Sequence, residues 1–181
     1  MMSELSTLMH GREWDGQDVS GWLMSEKLDG FRAYWDGSAM WTRGGNQIAV
    51  PESWRAELPD KIHLDGEIYA GPGGVDIVRD AVRFGRFHPA VRFHVFDIPT
   101  IRASFADRYE RLLSLVPCGA HIRPVIHRSC RSIDHAVTFM EEIQAAGGEG
   151  VVLRDPSNLY KPGRTPEILK LKDVSLYCLT M

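Results

Sequence analysis

A chain of 181 residues, 44% of them hydrophobic and five of them tryptophan, can bury one sizeable core and fits a single domain. Its 21 Lys and Arg against 24 Asp and Glu leave a net charge of −3, which counts against a nonspecific DNA coat protein but leaves room for a local basic groove. The three cysteines, Cys118, Cys130 and Cys178, are widely spaced with no CxxC pair, so neither a zinc site nor a disulfide framework is expected.

Residues 1–20 are polar and glycine-containing and read as a loose lead-in. "MMSELSTLMHGREWDG" has neither the basic start nor the apolar run of a signal peptide. Strands are expected at "WLMSEK" and "FRAYWDG", joined as a hairpin through Asp29-Gly30. "AMWTR" is a third strand, ending at Gly44-Gly45. A Pro-bounded, partly helical stretch then leads to a strand in "KIHLDGEIYA", closed by "GPGG". "VDIVRDAVRF" has helical spacing and "VRFHVFDI" alternates as a strand does. Two amphipathic helices follow. "FADRYERLLSLV" carries Asp107 and Glu110 in its first turns, and "SIDHAVTFMEEIQAAGG" has Ser132 as N-cap and Gly147-Gly148 as its stop. "GVVLRD" and "EILKLKD" are the last strands. This order predicts an α+β domain with largely antiparallel sheets. No stretch approaches the roughly 18 apolar residues of a membrane span, so a soluble, cytoplasmic protein is expected.

Four polar clusters fall on or beside these strands: Lys27, Asp29 and Arg32; Asp65 and Glu67; Glu149; and Lys170 with Lys172. Residues two apart on a strand share a face. Lys170 and Lys172 therefore oppose Leu169 and Leu171, while Asp65 and Glu67 oppose Leu64 and Ile68. Each pattern suits a sheet with one face in a core and the other on a polar cleft. Taken singly, each cluster has a plainer reading. "KLDG" is an exposed hairpin, "LKLK" an edge strand protected by charge, "LDGE" a turn, and "GGEG" a helix stop. All four in this order, each at a strand or strand edge, shift the balance.

Nucleotidyl transfer is the chemistry that would use them together. A free lysine amine, with a pKa of about 10.4, is protonated at neutral pH and cannot attack. Desolvation and nearby positive charge, from Lys170, Lys172 and a metal ion, favour the neutral amine. Asp65, Glu67 and Glu149 offer hard oxygen ligands for Mg²⁺. The metal and the two lysines would neutralise a triphosphate as pyrophosphate leaves. Phe96, in "VFDI", supplies an aromatic face for a base.

The ordered set resembles the motifs of the covalent nucleotidyltransferases: ATP-dependent DNA ligases, RNA ligases and mRNA capping enzymes. "EKLDGFR" looks like motif I, "TRGG" like the arginine segment after it, and "LDGEIY" like motif III. "FHVFDI" is similar to motif IIIa, "GGEGVVLR" to motif IV and "LKLK" to motif V. The likeness runs from about Trp22 to Lys172, and its texture is that of small bacterial and phage ATP-dependent DNA ligases. It implies an ATP-grasp-like adenylation domain over residues 21–173, between the lead-in at 1–20 and a short tail at 174–181.

By the same likeness, Lys27 is the nucleophile that takes AMP from ATP, with Mg²⁺ as the metal. Ser25, Glu26, Lys27, Arg32, Glu67, Phe96, Lys170 and Lys172 would contact ATP or AMP. Glu67 would hold the ribose or the metal, Glu149 the metal, and Asp65 the metal or the geometry around the lysine. Phe96 would stack on adenine, and Lys170 and Lys172 would grip the α-phosphate. Arg32 and Arg43 would meet the 5′-phosphate of nicked double-stranded DNA, where a guanidinium fork suits phosphate. The product is a sealed nick, in repair, replication or recombination, made by a monomer. The alternatives within reach are an RNA ligase of the same superfamily and a non-catalytic nucleic-acid-binding relic.

The chain departs from the family pattern in three respects. Ser25 stands where many ligases have a glutamate that reads the adenine amino group. No separate DNA-binding domain precedes the motifs. Nine residues follow Lys172, so the expectation is an adenylation domain without an OB-fold: alone, truncated, or completed by a partner. His63, His88 and His94 are expected to satisfy strand-edge or surface hydrogen bonds. Arg79, Arg83 and Arg86 form a basic stripe, read equally as a DNA-phosphate track or a solvated face, and Arg154 with Lys161 is placed on the same track.

Overall fold

The computed structural model describes residues 8–116 and 118–173. Cys178 and the whole of the expected tail fall outside that range, as do the first seven residues. Eleven strands and four helices are found among the described residues. Strands β1 (His10–Glu13), β2 (Leu23–Glu26), β9 (Arg128–Ser129), β10 (Val151–Arg154) and β11 (Arg164–Leu171) make one sheet, in the order β1-β11-β10-β2-β9. Strands β3 (Phe31–Trp35), β4 (Met40–Thr42), β5 (Gln47–Ile48), β6 (Leu64–Tyr69), β7 (Arg92–Asp97) and β8 (Ile122–Pro124) make the second, in the order β5-β4-β3-β6-β7-β8. Pairing is antiparallel except for β1 with β11 and β7 with β8.

Each sheet has its own core on one face. Ala33, Trp35, Leu64, Ile68, Phe93 and Val95 of the second sheet pack with Trp54 of α1 (Glu52–Arg55), Val78 and Ala81 of α2 (Val75–Phe84) and Leu112 of α3 (Phe105–Leu115). Met24, Val151, Leu153, Leu169 and Leu171 of the first sheet pack with Ala136, Met140 and Ile143 of α4 (Ile133–Ala145). Burying one such large side chain contributes about 1.5–3 kcal/mol. The opposite faces of both sheets supply walls of a common cavity.

The helices form where capping and periodicity agree. Ser104 and Ser132 accept from the backbone N–H of Asp107 and His135, satisfying donors at the starts of α3 and α4. Helix α2 stops at Gly85, whose left-handed backbone (φ 66) lets Gly85 and Arg86 donate back to Ala81 and Asp80.

Two sequence expectations are corrected. The strands around Asp29-Gly30 are not a hairpin, because β2 pairs with β10 and β9 whereas β3 pairs with β4 and β6. Residues 27–30 instead carry the chain from one sheet to the other. A Cβ on Gly30 would overlap the Ile68 carbonyl oxygen, so close approach of β6 requires glycine there. The lead-in is not loose: β1 lies parallel to β11, and Leu8, Met9, Trp14 and Val19 are buried. Short strands β5, β8 and β9 also escaped the sequence reading.

Candidate active site

The alternation of β10 and β11 sets one wall of the cavity. Val151, Leu153, Leu169 and Leu171 turn into the core, while Val152, Arg154, Ile168 and Lys170 line the opening. Ser25 faces Val152 across the β2–β10 ladder and lines the same wall. The second sheet contributes Arg32, Glu67 and Phe96, and Met9, His10 and Gly11 close the side at β1. The space measures about 240 Å³, and Glu26, Lys27 and Arg43 also border it.

Lys27 stands where the chain leaves β2. Its backbone N–H donates to Gly150 O at 2.8 Å, extending the ladder with β10 by one step. That step brings its ammonium onto Glu149 Oε2, and Lys172 Nζ meets Glu149 Oε1 at 2.7 Å. One carboxylate thus bridges two ammonium groups. Burial alone would raise the Glu149 carboxyl, but hydrogen bonds from Lys172 and Lys27 hold it below its ordinary value. Burial, with Lys27 and Lys172 nearby, lowers the Lys170 ammonium.

Glu67 is in the opposite condition. Burial pushes its carboxyl up to about 7, against the pull of Arg32 and Lys27 and with the help of Asp65. Asp65 is fully buried and its carboxylate is already engaged. Arg32 donates through Nε and Nη2 at 2.6 Å each, and Tyr160 Oη donates at 2.8 Å. Its place is therefore beside Arg32, unlike Glu67, which borders the cavity. Asp29 is exposed. Among the described residues no group of three or more His, Cys, Asp and Glu side chains could hold a metal ion.

Phe96 has two guanidinium groups against its ring, Arg32 at 4.6 Å and Arg154 at 4.8 Å from the centroid. Arg154 is thus not on an outer DNA track, as read from the sequence, but 6% exposed in the cavity wall. Lys161 is exposed and 3.5 Å from Glu167. Behind Phe96, the fully buried Arg108 holds Asp97 through two hydrogen bonds of 2.7 and 3.0 Å and donates twice to Asn158. This ion pair joins β7, α3 and the β10–β11 connection. The basic stripe lies on α2 and just beyond it, with Arg79 paired to Asp76 and Arg83 and Arg86 exposed. His63 and His88 bond to Tyr34 Oη and to the Ala90 N–H. Burial between strands takes His94 down to about 4.

Sequence reasoning missed Tyr160, Val152 and Ile168, and it put Arg154 on the DNA track rather than in the cavity wall. The alternation that put Lys170 opposite Leu169 would also have put Val152 and Arg154 on the cleft face. Tyr160 had no local signal.

The profile of the ATP dependent DNA ligase domain matches residues 17–172, most of the sequence. The chain belongs to that family. A DNA ligase of Haemophilus influenzae is 29% identical over 171 residues, which cover 92% of this chain and 63% of that protein. A DNA ligase of Haloarcula marismortui is 28% identical, with 91% of this chain and 33% of its own length covered. The ligase-family chain thus spans less than two thirds of these curated relatives. A Lig E DNA ligase structure superposes with a TM-score of 0.82 at 29% identity, over 92% of this chain and 68% of the other. The Chlorella virus DNA ligase-adenylate shares the fold, with a TM-score of 0.77 at 22% identity over 93% and 67% of the two chains. These matches establish the adenylation-domain fold expected from the motifs. No helix among the described residues is long and apolar enough to cross a membrane.

Proposed function

We propose that this chain performs the adenylation chemistry of an ATP-dependent DNA ligase, with Lys27 as nucleophile. Neutral Lys27 Nζ attacks the α-phosphorus of ATP. A nitrogen–phosphorus bond forms, the bond to the bridging oxygen breaks, pyrophosphate leaves and the amine proton is lost. The 5′-phosphate oxygen of a DNA nick then attacks the same phosphorus and frees Lys27. Attack of the 3′-hydroxyl oxygen on the 5′-phosphorus finally joins the strand and releases AMP.

The observation that carries this reading is the convergence of Lys27, Lys170, Glu67 and Phe96 at one opening, with Glu149 paired to Lys27 and Lys172 paired to Glu149. Lys170 and Lys172 supply cations to balance the triphosphate. Phe96 offers a stacking face, with Ser25 and Glu26 bordering the base. Arg32 and Arg43, at the same opening, suit the 5′-phosphate. Magnesium takes one or two carboxylates together with phosphate oxygens and water. Glu67 and Glu149 fit that donor set, and the bound ion would supply charge opposite the departing pyrophosphate.

Incubation with α-labelled ATP and Mg²⁺ tests the reading. An acid-labile, base-stable label is expected on the protein and none on Lys27→Ala. A wild-type chain that stays unlabelled with and without an added OB-fold partner would refute it and favour the non-catalytic relic. Nicked DNA against nicked RNA as acceptor separates the DNA ligase from its RNA-joining relatives. Repair, replication or recombination would be the setting.

A further inference from the structure

We infer that Tyr160 is a positioning residue for Arg32, and that it fastens the amino-terminal strand as a wall of the nucleotide cavity. Tyr160 lies in the connection between β10 and β11, far from Arg32 in sequence. Its hydroxyl donates to Asp65 Oδ2 at 2.8 Å and accepts from the Met9 backbone N–H at 3.2 Å. Arg32 donates to both Asp65 oxygens at 2.6 Å, and its Nη2 donates to the Met9 carbonyl at 2.9 Å. The four residues close a ring: Arg32 to Asp65, Tyr160 to Asp65, Met9 to Tyr160, and Arg32 to Met9. It draws on β3, β6, the β10–β11 connection and the segment entering β1.

The hydroxyl is the member without a substitute. Asp65 is fully buried, so its carboxylate cannot turn to water if a donor is lost. Burial and the Asp65 charge push the Tyr160 hydroxyl up, keeping it a donor at every ordinary pH. With Asp65 held in one rotamer, Arg32 is held on two of its nitrogens. Its Nη1 has no protein partner among the described residues, and the side chain borders the cavity. That nitrogen is the donor left for an anionic group of a ligand. Through Met9 the ring also fixes β1, whose Glu13 pairs in register with Lys170. Gly11 permits this, since a Cβ there would overlap the Ile168 carbonyl oxygen.

The functional consequence rests on the reading of Arg32 as a contact for the 5′-phosphate; the structural one does not. Both are tested on the full chain with Tyr160→Phe, which removes one oxygen. In ¹⁵N spectra the Arg32 Nε–H signal, assigned by its loss in Arg32→Lys, is expected to exchange with water at least about tenfold faster in Tyr160→Phe, the worth of one hydrogen bond to a charged group. An unchanged signal overturns the inference. The Lys27-adenylated proteins are then compared for binding nicks that end in 5′-phosphate or 5′-hydroxyl. Tyr160→Phe is expected to lose about tenfold of the preference for phosphate, with binding compared at equal amounts of lysine–AMP protein and at a temperature where both proteins are folded. A wild-type preference retained in full by Tyr160→Phe overturns the inference too. Absence of any preference in the wild type counts against the role given to Arg32 above, while the exchange measurement still decides for or against Tyr160. In an Asp65→Asn background, removal of the hydroxyl should change Arg32 exchange less than twofold; additive changes would overturn the route through Asp65.

Discussion

Glu67 makes the stability of this domain depend on pH in a direction opposite to that of most carboxylates. Its carboxyl moves from an ordinary 4.5 to about 7 on folding because burial disfavours the charge, which Arg32 and Lys27 only partly offset. The folded state therefore binds the proton more tightly than the unfolded chain. Below pH 4.5 the group is neutral in both states and costs nothing. As pH rises from 4.5 to 7 the unfolded state ionises first, and the folded state loses up to about 3 kcal/mol relative to it. Above pH 7 the full penalty remains. Glu67→Gln, of nearly the same shape and always neutral, should abolish this dependence. Urea melts of the two proteins in parallel, at steps between pH 4 and pH 8, isolate the effect, since other titrating groups cancel in the difference. The variant's advantage should grow with pH and level off near pH 7. A difference that is flat across the window, or that shrinks as pH rises, would refute the argument.

Two further substitutions probe the scaffold. Gly30→Ala should push β6 away at the Ile68 carbonyl, lower stability by about 1–3 kcal/mol in denaturant melts, and reduce labelling at Lys27; a stable, fully labelled variant would show that the close approach is dispensable. Arg108→Met should leave Asp97 buried without its main partner and cost about 3–5 kcal/mol, read as a fall of about 10 °C in the thermal midpoint. A midpoint within two degrees of wild type would remove this ion pair from the list of what holds β7 to α3.

What was legible in the sequence was what depends on near neighbours. The faces of "ILKL" and "LDGEI" followed from alternation, and Leu64, Ile68, Leu169 and Leu171 are indeed buried. Helices α2, α3 and α4 lie where their periodicity placed them, and α4 starts after the expected Ser132 cap. The mixed, mostly antiparallel class followed from the order of the elements. Which strand pairs with which did not follow, because periodicity says nothing about partners. Asp29-Gly30 has the composition of a hairpin turn, yet its glycine answers to a carbonyl of β6, a strand more than thirty residues on in the chain. Strand β1, "HGRE", has too little apolar pattern to be noticed, since its order comes from β11 at the other end of the domain. Asp65 had two signals in conflict. Its polarity suggested a metal ligand, while only the fold could reveal Arg32 bonded to it from the neighbouring strand and Tyr160 arriving from a distant loop.

The passage of the chain from one sheet to the other at residues 27–30 has a mechanical consequence. Lys27 is anchored by its backbone to the layer that carries Glu149 and Lys170, while Arg32, a few residues later, is tied into the layer that carries Glu67 and Phe96. A shear or rocking of one layer against the other must therefore be absorbed within this short crossing. The amine at its start would register such a displacement before any more distant group, which makes the relative set of the two layers a direct control on its reach.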